Sequence, residues 1–316
     1  DITVNQRYAT ICGYTHADLK HQFNDHLDGI DWEEIQKWYN GYRWLGTTPV
    51  YNPYDILLFI HNDHFYRNYW FETGNPSFLI KLFRQHRYFL PNLETLDVTE
   101  AILNSFDVEI IDPVSLLFQS GYLTIDKMFT QGPRLMFRLK IPNQEVKMAL
   151  GDTFIDGYTS DVPSAKFPVL THLYTCLEKG DIDGMINVIQ RLFKSIPWCN
   201  FTNNDLADYE GYYASVLYAF FSSLNAEVIP EDINNHGQVD LTVKLGNHVY
   251  VMEIKVVQGD YTEKNKQLPA DKSTYNPALK QIQEKGYAEK YRGIDGITVH
   301  EVGLVFSKAL RNLIAF

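Results

Sequence analysis

Residues 238–255 read QVDLTVKLGNHVYVMEIK, and this stretch predicts two adjacent strands in the C-terminal part of the chain. Apolar residues alternate with polar ones before the dipeptide Gly246-Asn247 and form a nearly continuous run after it. The dipeptide suits a two-residue primed turn, which joins two antiparallel strands and sets their register. That register places Asp240 directly opposite Glu253, where Cβ atoms are ~4.5–5.5 Å apart.

Two facing carboxylates repel each other, so a hairpin built for stability alone should avoid this pair. A hard divalent cation between them would reverse the sign of the interaction, since Mg²⁺ is commonly held by one or two carboxylates plus waters and phosphate oxygens. Lys255, which the register places opposite Gln238, shares the face of both carboxylates because side chains alternate with a period of two. It could orient a water or balance the charge of a phosphate, as metal-assisted phosphodiester hydrolysis requires.

A predicted helix over 209–224 carries a further acidic candidate, Glu210, at its start. It begins a stripe at helical spacing that we expect to be buried, and the stripe continues with Tyr213, Ala214, Leu217 and Phe221. Glu210 therefore either interacts with the helix N-terminus or points at a specific site such as the metal. Glu231, just before the hairpin, is a second acidic neighbour to consider.

The remaining pattern of this part predicts a short strand at 228–230, a helix over 277–291 and a last strand over 298–306. The order of helix, strands, helix and strand is typical of a mixed α/β domain. Between the hairpin and the helix predicted over 277–291, Lys264, Lys266 and Lys272 are interleaved with Tyr261 and Tyr275. This segment could follow a nucleic-acid backbone or form an ordinary solvated loop.

The first 200 or so residues are dominated by helical periodicity. Helices are predicted over 31–39, 54–60 and 115–121, and over 143–194 with a break near Gly180; strands are predicted at 122–125 and 135–139, and a linker over 196–208. Asn52 before Pro53 predicts an N-cap with proline in the first helical position. The aromatic cluster over 38–42 could stack bases, although aromatic residues beside a helix end more often belong to a core.

The overall charge bears on the class of partner. The 316 residues carry a formal net charge of −11, which argues against a protein that coats nucleic acid. From Lys255 onward, however, 10 Lys and Arg face 7 Asp and Glu, so the acidity belongs mainly to the preceding part. No apolar run approaches the ~20 residues of a membrane span, no signal peptide is recognisable, and the cysteines form no C-x-x-C pair. We expect a cytoplasmic protein without a membrane partner.

The constellation resembles the core of the PD-(D/E)XK nucleases, in which an Asp is followed by an apolar strand ending in Glu-x-Lys. Here the matching residues are Asp240 and Glu253-Ile254-Lys255, after a helix that bears Glu210. The resemblance implies a restriction-endonuclease-like α/β domain in which Asp240 and Glu253 bind Mg²⁺ or Mn²⁺ and Lys255 assists the attacking water. It implies that Glu210 is a third acidic ligand, and Gln281 resembles a glutamine that lies near the site in related nucleases.

More particular phrases are similar to a subgroup that carries an AAA-ATPase-like region before this nuclease-like domain. They lie at 210–213, 237–241, 251–255 and 278–287, and in the first half at 38–42, 50–53, 119–125 and 141–146. The resemblance implies three parts, namely the mostly helical C-terminal portion of an ATPase-like region over 1–145, a helical connector over 146–204 and the nuclease-like domain over 205–316.

Two departures from this pattern qualify the expected function. The subgroup has Gly-Arg where this chain has Gly237-Gln238, so a basic residue beside the site is missing. No G-x-x-x-x-G-K-[ST] occurs, so no ATP site is expected in this chain and the phosphate-binding loop would lie upstream of Asp1. The leading prediction is an Mg²⁺-dependent nuclease that acts on nucleic acid, and DNA is the expected substrate. The alternatives are an inactive nuclease-fold module that binds nucleic acid or protein, and a partner-interaction protein that docks through its aromatic first half.

Overall fold

A computed structural model gives the fold of two compact units. One comprises Asp1–His86 and Asn92–Leu150, and the other comprises Arg87–Pro91 and Gly151–Phe316. In the part of the chain that the structure describes, no helix is long and apolar enough to cross a membrane. The described residues are 6–45, 48–70, 89–104, 112–158, 163–196, 210–258 and 276–316. The predicted linker from residue 197 onward and the lysine-rich segment with Lys264, Lys266 and Lys272 lie outside them.

The first unit combines short helices with two small sheets. Its helices are α1 (His16–Gln22), α2 (Trp32–Tyr39), α3 (Pro53–His61), α4 (Glu100–Asn104), α5 (Pro113–Gln119) and the first half of α6 (Gln144–Tyr158). Strands β1 (Tyr14–Thr15) and β2 (Val50–Tyr51) pair antiparallel, and β3 (Leu96–Thr99), β4 (Thr124–Gln131) and β5 (Arg134–Lys140) form a sheet in the order β3-β5-β4.

Side-chain caps explain where the helices of this unit begin. The carboxylate of Asp31 accepts from two backbone N–H groups of α2, and Asn52 caps α3 with Pro53 in the first helical position, as predicted. The aromatic cluster after α2 belongs to the core, since Tyr39 is fully buried and Trp38 is 5% exposed. The interpretation of these two rings as a base-stacking platform is therefore wrong, because neither offers a face to a ligand.

In its described residues, the second unit carries four more α-helices and one five-stranded sheet. The helices are α7 (Pro163–Lys179), α8 (Ile182–Ser195), α9 (Glu210–Ser222) and α10 (Pro277–Lys285). The strands are β6 (Glu227–Asn234), β7 (Gly237–Leu245), β8 (His248–Val257), β9 (Thr298–Ser307) and β10 (Asn312–Ala315), in the order β10-β9-β8-β7-β6. Strands β8 and β9 are parallel, with α10 in the connection between them, and the other pairs are antiparallel. The predicted mixed α/β architecture is confirmed.

The register of the central hairpin follows the predicted turn. Strands β7 and β8 pair from Leu245 with His248 to Leu241 with Met252, which is the register that the Gly246-Asn247 turn requires. The hydrogen-bonded ladder ends there, so Asp240 with Glu253 and Gln238 with Lys255 are not ladder pairs. To this extent the prediction of directly opposed carboxylates is wrong, and the cause lies in the side chain of Asp240, described below.

Two further expectations need correction. The helix predicted over 277–291 ends at Lys285, because Gly286 adopts a left-handed conformation with φ +56° and caps it. Helix α9 is buried on every side rather than along one stripe, since Tyr212, Val216 and Phe220 are buried as well as the predicted stripe. Glu210 itself is exposed, so it does not belong to the buried face.

Candidate functional site

The second unit brings together the five side chains that the sequence singled out. Glu253 and Lys255 come from β8, Asp240 from β7, Glu210 from the first position of α9 and Gln281 from α10. Glu253 is the centre of the arrangement: its Oε1 accepts hydrogen bonds from Lys255 Nζ at 2.8 Å and from Gln281 Nε2 at 2.5 Å. Its side chain is 3% exposed, whereas that of Lys255 is 28% exposed and reaches solvent.

Asp240 lies beside Glu253 because the two central strands separate at this point. Its Oδ2 accepts the backbone N–H of Ile254 at 2.7 Å, so a side chain replaces the ladder hydrogen bond that would otherwise continue the hairpin. On the other side of β7, the pairing with β6 skips Glu231, which has φ +46°. The strand thus presents the Asp240 carboxylate at the place where the β7–β8 ladder ends.

Glu210 reaches the same strand from the start of α9. Its Oε1 accepts the backbone N–H of Val256 at 3.3 Å, so the α9 N-terminus is joined to the end of β8. Among the described residues, no group of three or more His, Cys, Asp or Glu side chains is arranged to hold a metal ion. One oxygen of Glu210 is engaged with the backbone of β8, and the role of Glu210 as a third metal ligand stays a prediction.

Helix α10 packs closely on the sheet and so delivers Gln281 to the site. Gly303 of β9 pairs with Glu253 in the parallel ladder, and a Cβ atom at Gly303 would lie 2.2 Å from the backbone N of Leu279. Asn276 donates to the Gly303 carbonyl at 2.8 Å and also caps α10. Sequence reasoning missed these two positioning residues, although Asn276 before Pro277 is a helix-start signature that could have revealed one of them.

Replacing Gly303 with Ala should therefore separate α10 from β9. Because the nearest atom is backbone, the helix must shift, and overpacking of this kind costs ~1–3 kcal/mol of unfolding free energy. Urea unfolding measures the loss. Thr298→Ala, at an exposed position of the same strand, is the control and should change stability by less than ~0.5 kcal/mol. Equal stability of both variants would show that α10 does not depend on this close approach.

The electrostatics of the site disfavour negative charge in the metal-free protein. Burial, followed by the charge of Asp240, raises the pKa of Glu253 to about 7, although Lys255 acts in the opposite direction. Burial also raises the pKa of Asp240, with further contributions from Glu210 and Glu231. Burial lowers the pKa of Lys255, but the three neighbouring carboxylates outweigh it and the net shift is upward. Lys255 is therefore a cation at neutral pH and acts as a donor, not as a base.

The donor set fits a hard divalent cation at Asp240 and Glu253. Glu253 Oε2 is buried and has no hydrogen-bond partner of normal geometry among the described residues, and a buried unpartnered carboxylate oxygen is costly. Asp240 Oδ2 accepts the hydrogen bond from the backbone N–H of Ile254. A cation held by these two carboxylates would satisfy Glu253 Oε2 and remove the repulsion between them.

The position of the missing basic residue is polar in the structure. Gln238 Nε2 donates to Glu231 Oε1 at 3.4 Å, and both side chains are exposed. A glutamine held by a carboxylate cannot neutralise a phosphate. The structure therefore leaves Lys255 as the cation in contact with the described site residues.

Comparison with known proteins supports the nuclease-like character of this part. Residues 208–316 match the family model described as the PD-(D/E)XK nuclease superfamily. A protein of Azotobacter chroococcum mcd 1, described as an uncharacterized protein in the vnfD 5′ region, is 41% identical over all 316 residues. The chain spans 58% of the length of that relative. No solved structure matches the chain. Residues 208–316 are thus a domain of the PD-(D/E)XK nuclease superfamily.

Proposed function

We propose that this domain hydrolyses phosphodiester bonds of nucleic acid with the help of Mg²⁺ or Mn²⁺. The observation that carries the proposal is the buried Glu253 carboxylate. It contacts Lys255 through Oε1, and among the described residues Oε2 has no hydrogen-bond partner of normal geometry, although the backbone of Asp240 lowers the pKa of the carboxyl group. Its neighbour Asp240 supplies the second carboxylate, as the electrostatic coupling between the two groups indicates. An ordinary structural ion pair would not leave a buried oxygen unpartnered next to a second acid.

The roles follow from the contacts. Asp240 and Glu253 would hold the divalent ion, which would supply Lewis-acid polarisation of the phosphoryl group and a more acidic water. Lys255 would orient the attacking water or stabilise negative charge on the phosphate. Gln281 would hold the Glu253 carboxylate in place by donating to Oε1. Glu210 would act on the charge of Lys255 and on the end of β8, and its role as a third ligand stays a prediction.

The substitution at Gln238 favours a second candidate, an inactive nuclease-fold module that binds nucleic acid or protein. A site with Lys255 as its cation attracts a phosphate more weakly than one with an additional arginine. The domain match begins at residue 208, so the ATPase-like character of residues 1–145 and the connector over 146–204 stay predictions. DNA as the leading substrate likewise rests on the sequence resemblance.

Incubation of the full chain with labelled single- and double-stranded DNA and RNA tests the proposal. We expect cleavage with Mn²⁺ or Mg²⁺, none with chelator, and none by Asp240→Asn under either condition. Glu227→Gln is a matched control, since Glu227 is an exposed acid at the far end of the same sheet and pairs with Lys244. It should cleave like the unmodified protein.

Two outcomes decide between the candidates. Cleavage by Asp240→Asn at the rate of the unmodified protein would contradict the proposal, because the activity would not depend on the Asp240 carboxylate. A protein that cleaves none of the four substrates but binds Mn²⁺ in an Asp240-dependent manner would support the inactive module. Binding of one labelled substrate without cleavage would identify what that module recognises.

A further inference from the structure

The first unit contains a cavity of about 260 Å³ that the nuclease proposal does not use. It is lined by residues of the three motifs that the sequence analysis singled out at 38–42, 50–53 and 119–125. The side chains that matter for its chemistry are Tyr42, Trp44, Tyr51, Asn52, Trp70 and Gln119. The volume is slightly below the ~300–1,000 Å³ of pockets for drug-sized ligands, so the cavity suits a single small head group.

The lining is aromatic and uncharged. Four aromatic residues contribute to it, and none of the described lining residues is Lys, Arg, Asp or Glu. Trp44 packs edge-on against Phe118 and Trp70 packs edge-on against Tyr122, so both indole rings are held in place. A pocket without a cationic residue in its wall offers nothing to a phosphate, which disfavours nucleotides as ligands.

Negative charge lies directly behind this aromatic wall. Asp55 and Glu145 are both fully buried, and their carboxyl groups interact with each other. Glu145 Oε1 accepts the backbone N–H of Trp70 at 3.0 Å and that of Tyr69 at 2.6 Å. The charges of Asp55 and Glu145 both act on the lining residue Tyr42. The carboxyl pair is thus connected to two of the aromatic walls.

Two adjacent buried acids do not both ionise easily, so the pair holds at most one negative charge. Burial and the charge of Glu145 raise the pKa of Asp55 to about 9. Burial also raises the pKa of Glu145, while hydrogen bonds from Asp55 and from the backbone of Trp70 and Tyr69 act in the opposite direction. Asp55 Oδ1, Asp55 Oδ2 and Glu145 Oε2 accept no hydrogen bond of normal geometry from other described residues. One shared proton satisfies this geometry and leaves one negative charge beside Trp70.

We propose that this cavity binds the head group of an organic cation, such as a quaternary ammonium, against the half-buried indole rings of Trp44 and Trp70. Ring faces attract cations through their quadrupole, and the attraction is strongest where water is excluded. The buried carboxyl pair adds an electrostatic attraction through the aromatic wall. Because the cation does not touch a carboxylate, the pocket offers no direct ion pair to a small, strongly hydrated ammonium. The same head group occurs on free small molecules and on methylated lysine side chains of proteins.

A pair of ligands with the same shape but different charge tests the proposal on the full chain. Choline carries the cation, and 3,3-dimethyl-1-butanol replaces its nitrogen with carbon. Cys12 lines the cavity and is an exposed free thiol, so a bound ligand should slow its alkylation by iodoacetamide, as measured by peptide mass spectrometry. The buried Cys176 is the internal reference. We expect choline to protect Cys12 at a concentration at least about tenfold lower than the neutral analogue.

Four variants, one of them a control, locate the effect. Trp44→Leu and Trp70→Leu should abolish protection, and having both guards against one of them failing to fold. Trp32→Leu is the matched control, since Trp32 lies in the same unit but does not line the cavity. Glu145→Gln keeps an acceptor for the two backbone donors but removes charge, so it should reduce the ratio between choline and the neutral analogue.

The alternatives give distinct results. Equal protection by both ligands, or no protection by any ligand, would contradict the proposal. Stronger protection by adenosine than by choline would also contradict it and would identify a base-stacking pocket. A trimethyllysine peptide that protects at lower concentration than choline would identify a protein side chain as the source of the head group. The reverse order would identify a free small molecule.

Discussion

Replacing Lys255 with Ala should lower the rate of divalent-dependent hydrolysis by about 10²–10⁴-fold, the contribution that a positioned proton-transfer or donor group makes to such reactions. Lys255 contacts Glu253 at 2.8 Å, and its side chain is 28% exposed and reaches solvent, so we expect its removal to leave the two carboxylates and the fold in place. Calorimetric titration with Mn²⁺ should therefore still show binding. Asp240→Asn, by contrast, should lose both binding and hydrolysis.

Lys244→Ala is the control for this experiment. Lys244 lies on the neighbouring strand β7 and forms an exposed ion pair with Glu227, so it has the same charge but no contact with the site. Its variant should keep the full rate. Hydrolysis by Lys255→Ala at the rate of the unmodified protein would remove Lys255 from the mechanism, and loss of Mn²⁺ binding in the same variant would show that its role is structural.

Replacing Glu253 with Gln should abolish hydrolysis and, at the same time, stabilise the metal-free protein at alkaline pH. The pKa of Glu253 is raised from 4.5 to about 7, so the folded protein holds this proton more tightly than the unfolded chain does. The stability contributed by the protonated group is fully present below pH ~4.5 and is lost as the pH rises to ~7. Each pKa unit corresponds to ~1.4 kcal/mol, so the loss is up to ~3 kcal/mol.

Urea unfolding at pH 5 and pH 8 in the presence of chelator measures this effect. At pH 8 the glutamine variant should be more stable than the unmodified protein by up to ~3 kcal/mol, and most of the difference should vanish at pH 5. Added Mn²⁺ should stabilise the unmodified protein but not the variant, because ligand binding to the folded state adds to its stability. Glu227→Gln, at an exposed position, should neither gain stability at pH 8 nor lose the stabilisation by Mn²⁺. A glutamine variant that is less stable at pH 8 would mean that Glu253 is a structural ion-pair partner.

The hairpin shows how far local sequence information reaches. A two-residue turn allows one pairing of the residues that flank it. The Gly246-Asn247 turn therefore requires Leu245 to pair with His248, and the structure has this register. The end of the ladder is different. It depends on the Asp240 side chain capturing the N–H of Ile254, a competition between a side chain and a backbone acceptor that no periodicity reveals.

The helices show the same division. Local caps at Asp31, Asn52 and Asp112 set where three helices begin. The cap at Asn52 was predicted from the sequence because it acts within one turn and precedes a proline, whereas the helix that begins at Pro113 was predicted to begin two residues later. The burial of α9 on every side was not readable. Its exposed and buried faces depend on which other elements pack against it, and Glu210 was therefore assigned to a buried stripe although it is exposed.

The sequence predicted the register that the Gly246-Asn247 turn sets, the start of α3 at Asn52, and the acidic residues and the lysine on one strand pair, because turns, caps and the two-residue alternation are local. The contact of Gln281 with Glu253, and the lack of a hydrogen bond of normal geometry to Glu253 Oε2 among the described residues, arise from the tertiary structure. So does the contact of Asp55 with Glu145. These contacts join segments distant along the chain, and they exist because close packing, such as α10 over Gly303, leaves room for one arrangement.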